Sequence, residues 1–147
     1  MVGRSLFNSK KLLPLVLMAL ISVGCQTPPP NQLYLSLGEN AGIARLVEDF
    51  INELLIDEHI GFHFEEAELD RFHDKLVEQI CQLAGGPCEY TGKTMQKIHT
   101  DLDITEAQFN TLVEALMKAM DNNKISVGAQ NQLLALLVPL RADIIHR

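Results

Sequence analysis

Apolar side chains recur along this chain at the spacing of an amphipathic helix. From Leu33 onward they fall at positions i, i+3, i+4 and i+7, which places them on one face of a helix. A sustained apolar–polar alternation, which is typical of a half-buried strand, is not found in the sequence. The pattern predicts an all-α fold with four main helices, whose apolar stripes run over 43–54, 69–83, 109–120 and 133–144.

Several helix ends can also be predicted. Thr105 and Gln108 form the two ends of a capping box that starts the third helix. Ser126 is placed to cap the fourth helix. Pro139 is expected to bend that helix, because proline lacks an amide proton and its ring crowds the preceding turn. Periodicity leaves two architectures open, a plain four-helix bundle and a globin-like sandwich.

The first 24 residues differ from the rest, since they contain basic residues but no acidic ones. A basic start leads into the apolar run Leu12–Gly24, whose 13 residues are fewer than the roughly 20 of a membrane-spanning helix. This pattern is typical of a secretory signal peptide. Residues 22–25, Ser-Val-Gly-Cys, resemble a bacterial lipobox, in which Cys25 would be lipidated. An uncleaved anchor helix is the alternative.

These features divide the chain into a lipoprotein-type signal peptide (1–24), the lipidated Cys25 with a proline-rich tether (25–32), and one domain (33–147). We therefore expect an exported protein, held at the cell envelope by its lipid anchor. Gln26 is not the aspartate that often retains such proteins at the inner membrane, which favours the outer membrane, facing the periplasm.

The charge of the chain argues against one class of partner. The sequence has 19 acidic and 12 basic residues, a formal net charge of −7. Nucleic acid would repel such a chain, so no nucleic-acid partner is expected.

The centre of the chain carries an ordered series of short motifs. In order these are Gly85-Gly86-Pro87, Tyr90-Thr91-Gly92, Met95 through His99, Ile104-Thr105 and Phe109. The series resembles the central segment of the group 1 truncated haemoglobins, and the resemblance extends over 33–147. It implies a truncated globin-like two-over-two helical sandwich around one haem b, with His99 as the proximal ligand of the iron.

The resemblance also implies which side chains contact the cofactor. Periodicity alone cannot distinguish these apolar side chains from ordinary core residues, because an apolar pocket and an apolar core have the same composition. The expected contacts beside His99 are Phe64, Phe72, Lys75, Leu76, Tyr90, Met95, Ile104, Phe109, Leu133 and Leu137.

The expected distal side departs from the family. Relatives that hold oxygen tightly place a tyrosine where this chain has Ile51, and often a glutamine where it has Leu76. Oxygen gains partial negative charge on binding and is stabilised by hydrogen-bond donors, which Ile51, Phe72 and Leu76 do not offer. Tight oxygen storage and efficient nitric-oxide dioxygenation are therefore disfavoured, whereas NO and CO binding is less affected.

Some relatives coordinate the iron with a sixth ligand at the position of Lys75. A lysine ligand must first lose its proton, and the alternative is a lysine that faces solvent or pairs with a haem propionate. His59 and His63, four residues apart, are a weak metal pair and are expected on a solvated surface. Cys81 and Cys88 flank the glycine-proline turn and form a disulfide in an exported protein, or remain free thiols otherwise.

The sequence thus favours a haem protein that binds O2, NO or CO, or that exchanges electrons with a redox partner. One alternative is a haem-scavenging lipoprotein of the outer membrane, and another is NO-reactive or peroxidase-like chemistry. No distal acid–base residue supports catalysis, so an enzyme is not the favoured interpretation. A globin-fold domain that has lost haem is the remaining alternative.

Overall fold

A computed structural model describes residues 30–64 and 67–147, so the predicted signal peptide and Cys25 lie outside the described residues. Six α-helices form the described part. They are α1 (Gln32–Ser36), α2 (Glu39–Leu55), α3 (Leu69–Leu83), α4 (Met95–His99), α5 (Glu106–Asn122) and α6 (Val127–Leu137), with 3-10 helices at Gly61–Phe64 and Val138–Asp143.

The four predicted helices correspond to α2, α3, α5 and α6, which confirms the all-α fold class. Long α2 packs against both α3 and α5, while α6 packs against α1 and α3. Their facing stripes contribute to one core. The stripe of α2 is fully buried, whereas the other predicted stripes are buried only in part, and Leu136 of the fourth is 38% exposed. The fully buried side chains of this core include Ile43, Leu46, Val47, Leu54, Ile80, Met120 and Leu133.

Both predicted caps are present. The hydroxyl of Thr105 accepts from the Gln108 amide at 3.3 Å, and the Gln108 side chain accepts from the Thr105 amide at 2.9 Å. The Ser126 hydroxyl accepts from the amide of Ala129 at 3.4 Å. Each bond satisfies an amide at a helix start that has no partner within the helix.

The last helix differs from the prediction. It ends as an α-helix at Leu137 and continues as the 3-10 segment Val138–Asp143, so Pro139 changes the helix type rather than bending one continuous helix. The physical reason is that proline cannot donate the i to i−4 bond. The end of the chain then returns to the start of α5, where His146 N donates to Ile104 O at 3.0 Å.

None of the helices within 30–64 and 67–147 combines the length and the apolar character that a bilayer crossing requires.

Candidate functional site: a histidine facing three cavities

The loop between α3 and α4 begins with two glycines, and a side chain at either position would collide with neighbouring atoms. Gly85 has a φ of +81°, and a Cβ there would lie 2.2 Å from the carbonyl oxygen of Pro30. A Cβ on Gly86 would lie 2.5 Å from the Tyr34 ring and 2.7 Å from Cys81 Sγ. The turn therefore packs directly on α1 and on the end of α3.

Helix α3 fixes the remainder of this loop at several points along one stripe. A disulfide joins Cys81 to Cys88, with Cα atoms 5.7 Å apart. The Tyr90 amide donates to the Gln82 side-chain oxygen at 2.5 Å, and the Tyr90 hydroxyl donates to the carbonyl of Lys93 at 2.7 Å. These contacts fix the chain just before it enters α4.

Helix α4 is short and presents His99 at its end. Thr94 caps the helix by accepting from the amide of Lys97 at 3.3 Å. The Nδ1 atom of His99 lies 2.8 Å from the carbonyl oxygen of Met95. Because a carbonyl only accepts, Nδ1 is the donor of this bond, which selects the tautomer of the neutral imidazole that has its lone pair on Nε2. Within the described ranges, Nε2 makes no hydrogen bond, so the half-buried imidazole can ligate a metal.

Three cavities share His99 in their walls. The largest, of about 470 Å³, opens between α3 and the loop before α4, and includes Phe64, Phe72, Lys75 and Tyr90. A second, of about 120 Å³, includes His63, Phe64, Ile104 and Phe109. The third, of about 240 Å³, lies among α3, α5 and α6 and is almost wholly apolar. Its walls include Phe50, Leu76, Gln79, Met95, Phe109, Leu112, Leu134 and Leu137.

Most of the side chains predicted to contact the cofactor therefore line one of these cavities. Two predicted positions do not. Leu133 is fully buried in the core, and its neighbour Leu134 lines the third cavity instead. Ile51, only 8% exposed, also belongs to the core, while Phe50 lines that cavity. In both cases the helix presents the adjacent residue, which lies about 100° around the axis.

Sequence reasoning missed Gln79, one turn beyond Lys75 on α3. It lines the third cavity, and its amide donates only to the Met95 sulfur, at 3.6 Å. A thioether is a weak acceptor, so this amide is loosely held. The missed signal was a polar residue within the apolar stripe of the second predicted helix.

Lys75 is held by two residues that the sequence analysis did not name as its partners. Its ammonium donates to both oxygens of Glu78, at 2.7 and 2.9 Å, and to the Thr91 hydroxyl at 2.6 Å. The lysine side-chain bond, followed by the backbone and side-chain bonds from Thr91, lowers the pKa of Glu78 to about 2. Burial raises the pKa of Tyr90, which lies in the same cavity wall.

The expectation of a solvated His63 is wrong. The side chain is half-buried, lines two of the cavities, and its Nε2 accepts from the Gln108 amide at 3.2 Å. His59 is exposed, as expected. The described part of the chain contains no group of three or more His, Cys, Asp or Glu residues that could hold a metal by itself.

In the described part of the chain, a half-buried histidine with an unpaired ring nitrogen lines two largely apolar cavities of a helical sandwich, and these are the features of a globin-type haem site. Residues 32–146 match the family described as bacterial-like globin, and the chain belongs to that family. It is accordingly a haem-binding globin that takes diatomic ligands, with one haem per chain.

Individual relatives are similar over nearly the same length. A group 1 truncated haemoglobin of Mycolicibacterium paratuberculosis is 27% identical, over 78% of this chain and 85% of that protein. The crystal structure of a truncated haemoglobin from Tetrahymena pyriformis in the Fe(III) form is 22% identical, has a TM-score of 0.75, and matches 78% of this chain and 98% of that one. The 2/2 haemoglobin of Synechococcus sp. PCC 7002, solved with covalently attached haem, is 23% identical, with a TM-score of 0.73, over 78% and 98%. These likenesses support the two-over-two fold.

Proposed function

We propose that His99 binds the iron of one haem b and that the three cavities around His99 receive the porphyrin and its diatomic ligand. The observation that carries this is the orientation of His99. Its Nδ1 donates a hydrogen bond to Met95 O, which fixes the tautomer of the neutral ring. Nε2 is then free to give its lone pair to the iron. Haem supplies the iron that takes up the ligand, and the chain supplies the axial base and the walls.

The residues present fit this cofactor. Aromatic and aliphatic side chains line the cavities, as an apolar macrocycle requires, and the Phe64 and Phe72 rings pack 5.4 Å apart at the edge of the first cavity. The exposed mouth of that cavity also includes Arg71 and Lys93, whose charges suit the propionates of haem.

The walls also set a ligand preference. Phe50, Leu76 and Leu112 offer no hydrogen bond, so the third cavity favours ligands that gain little charge on binding, such as NO and CO. Gln79 adds one amide donor and would give oxygen a modest stabilisation.

The direct test is the absorption spectrum of the full chain after addition of haem. We expect the wild type to retain haem with one histidine ligand, and His99→Ala to lose it or to change its spectrum. His59→Ala is the matched control, because His59 is exposed, and it should behave as the wild type. A wild-type protein that retains no haem, or a His99→Ala variant with an unchanged spectrum, would contradict the proposal.

We further propose that the chain is an exported lipoprotein, anchored through Cys25 at the outer membrane and facing the periplasm. Support comes from the apolar run Leu12–Gly24 ahead of Cys25, and from the disulfide between Cys81 and Cys88, since disulfides persist in oxidising compartments. Cys25→Ser should move the protein from the membrane fraction to the soluble fraction. An unchanged distribution would contradict lipidation.

Electron exchange with a redox partner is the alternative role at the same iron. It would be favoured by a six-coordinate iron, and the residue that decides this is Lys75.

A further inference from the structure

We propose that Glu78 is a positioning residue that holds Lys75 against the loop before His99 and thereby keeps this lysine off the haem iron. The inference rests on the proposed function, because it concerns the iron that His99 would bind. It assigns to Glu78 the control of whether the iron has five or six ligands.

The first step is the occupancy of the lysine donors. An ammonium group has three N–H bonds, and the structure gives Lys75 three acceptors: the two oxygens of Glu78 and the hydroxyl of Thr91. The distances of 2.6 to 2.9 Å are those of charge-assisted hydrogen bonds. No donor of Lys75 therefore remains directed elsewhere.

The second step is that Glu78 is itself fixed from two directions. One of its oxygens accepts from the amide of Thr91 at 3.0 Å and from the Thr91 hydroxyl at 2.9 Å. The three residues thus form a closed network of five hydrogen bonds between α3 and the loop. Lys75 cannot leave this network without breaking an ion pair that the loop also stabilises.

The third step is position. Lys75 and Thr91 line the 470 Å³ cavity together with His99, and the next residue, Leu76, lines the 240 Å³ cavity, which also reaches His99. The lysine ammonium therefore stands at the wall of the space assigned to haem. Its flexible four-carbon stem would let a released amine turn into that space.

Glu78→Gln removes the ion pair with Lys75 but can keep the contact with the loop. The amide oxygen of glutamine can still accept from the Thr91 amide, but the glutamine side chain carries no charge for Lys75. The loop contact is kept in part, and Lys75 loses its ion pair and is held only by weaker, neutral acceptors. We expect the released lysine to occupy the sixth position of the iron, where an incoming ligand must displace it.

The experiment compares ferrous, ligand-free absorption spectra of the full chain with haem added. We expect a five-coordinate wild type, a six-coordinate Glu78→Gln, and a return to five-coordinate in Glu78→Gln/Lys75→Ala. The exposed Glu114→Gln on α5 is the matched control and should match the wild type. If lysine occupies the iron in about nine-tenths of the variant molecules, the apparent affinity for CO falls about tenfold.

Two results would overturn the inference while haem binding itself stands. One is a six-coordinate wild type that Lys75→Ala makes five-coordinate, because Lys75 would then leave Glu78 when haem binds. The other is a folded Glu78→Gln protein, judged by circular dichroism, that stays five-coordinate. A wild type that retains no haem instead defeats the proposed function and the inference together.

Thr91→Val, which removes one lysine acceptor, should give a smaller six-coordinate fraction and decides the question if Glu78→Gln does not fold.

Discussion

The two ends of α5 lie in different environments, although one apolar stripe runs through both. Near its end, Leu116, Ala119 and Met120 are buried against α2. Near its start, Phe109 and Leu112 are half-buried and line the cavities around His99. Helix α4, which carries His99, has no buried residue at all. One half of the domain is therefore a closed core, and the other is an apolar wall with space in front of it.

This difference indicates which half depends on a cofactor. A side chain in a closed core gains its full transfer and packing energy on folding. A side chain on a cavity wall gains only part of it, until another molecule fills the space. We therefore expect the α2–α5 core to hold the fold together without haem, and the His99 half to become well packed only with it.

The largest expected effect tests this contrast directly. In the haem-free protein, Leu46→Ala should lower the free energy of unfolding by about 2–5 kcal/mol, because Leu46 is fully buried. Leu112→Ala should cost clearly less, since one side of Leu112 already faces a cavity. Urea denaturation of both variants measures this. After haem is added, the loss in free energy of unfolding should increase for Leu112→Ala only. Equal losses for the two variants without haem would show that the two halves are packed alike.

A somewhat smaller effect should follow from removing the disulfide beside the open half. The chain-entropy description gives about 2–3 kcal/mol for so short a closed loop. We expect Cys81→Ala/Cys88→Ser to lose about that much in urea denaturation, and to retain haem less well because the loop before His99 is freed. The wild type with a thiol reductant should show the same loss. An unchanged midpoint in both would mean that the remaining contacts of α3 fix the loop by themselves.

The ligand cavity gives the next prediction. Gln79→Leu should speed oxygen dissociation roughly two- to thirteenfold, because one net hydrogen bond contributes about 0.5–1.5 kcal/mol. CO dissociation should change much less, since CO gains little charge on binding. Gln96→Leu is the control, because Gln96 is exposed on α4. If stopped-flow measurements give equal oxygen dissociation rates for Gln79→Leu and the wild type, then Gln79 does not contact the bound oxygen.

These regions also differ in how far the sequence could predict them. The stripe of α2 and the Thr105 cap are local patterns, and the structure has both where the sequence places them. Ile51 and Leu133 were expected at the cofactor from the resemblance, which transfers positions along the sequence. In the structure the adjacent residues Phe50 and Leu134, about 100° around each helix, line the third cavity instead. Lys75 and Glu78 lie three residues apart on one helix, so this ion pair is a local pattern that the spacing could have indicated. The contact of Lys75 with Thr91 could not be predicted, because it joins residues 16 positions apart through the fold of the loop.

The smallest expected effect concerns acid stability and the network at the edge of the open half. The pKa of Glu78 is lowered from 4.5 to about 2 in the folded protein, first by the bond from Lys75 and then by those from Thr91. A lowered carboxyl pKa stabilises the fold fully above about pH 4.5, and this contribution is lost as the pH falls toward 2. We expect the haem-free wild type to lose more stability than Glu78→Gln across that window, by a modest margin because the pair is partly open to solvent.

Thermal melts of both proteins at pH 5 and pH 3 measure the difference, with Glu114→Gln as the control. Parallel losses in wild type and Glu78→Gln would show that the contact between α3 and the loop before His99 does not depend on the charge of Glu78.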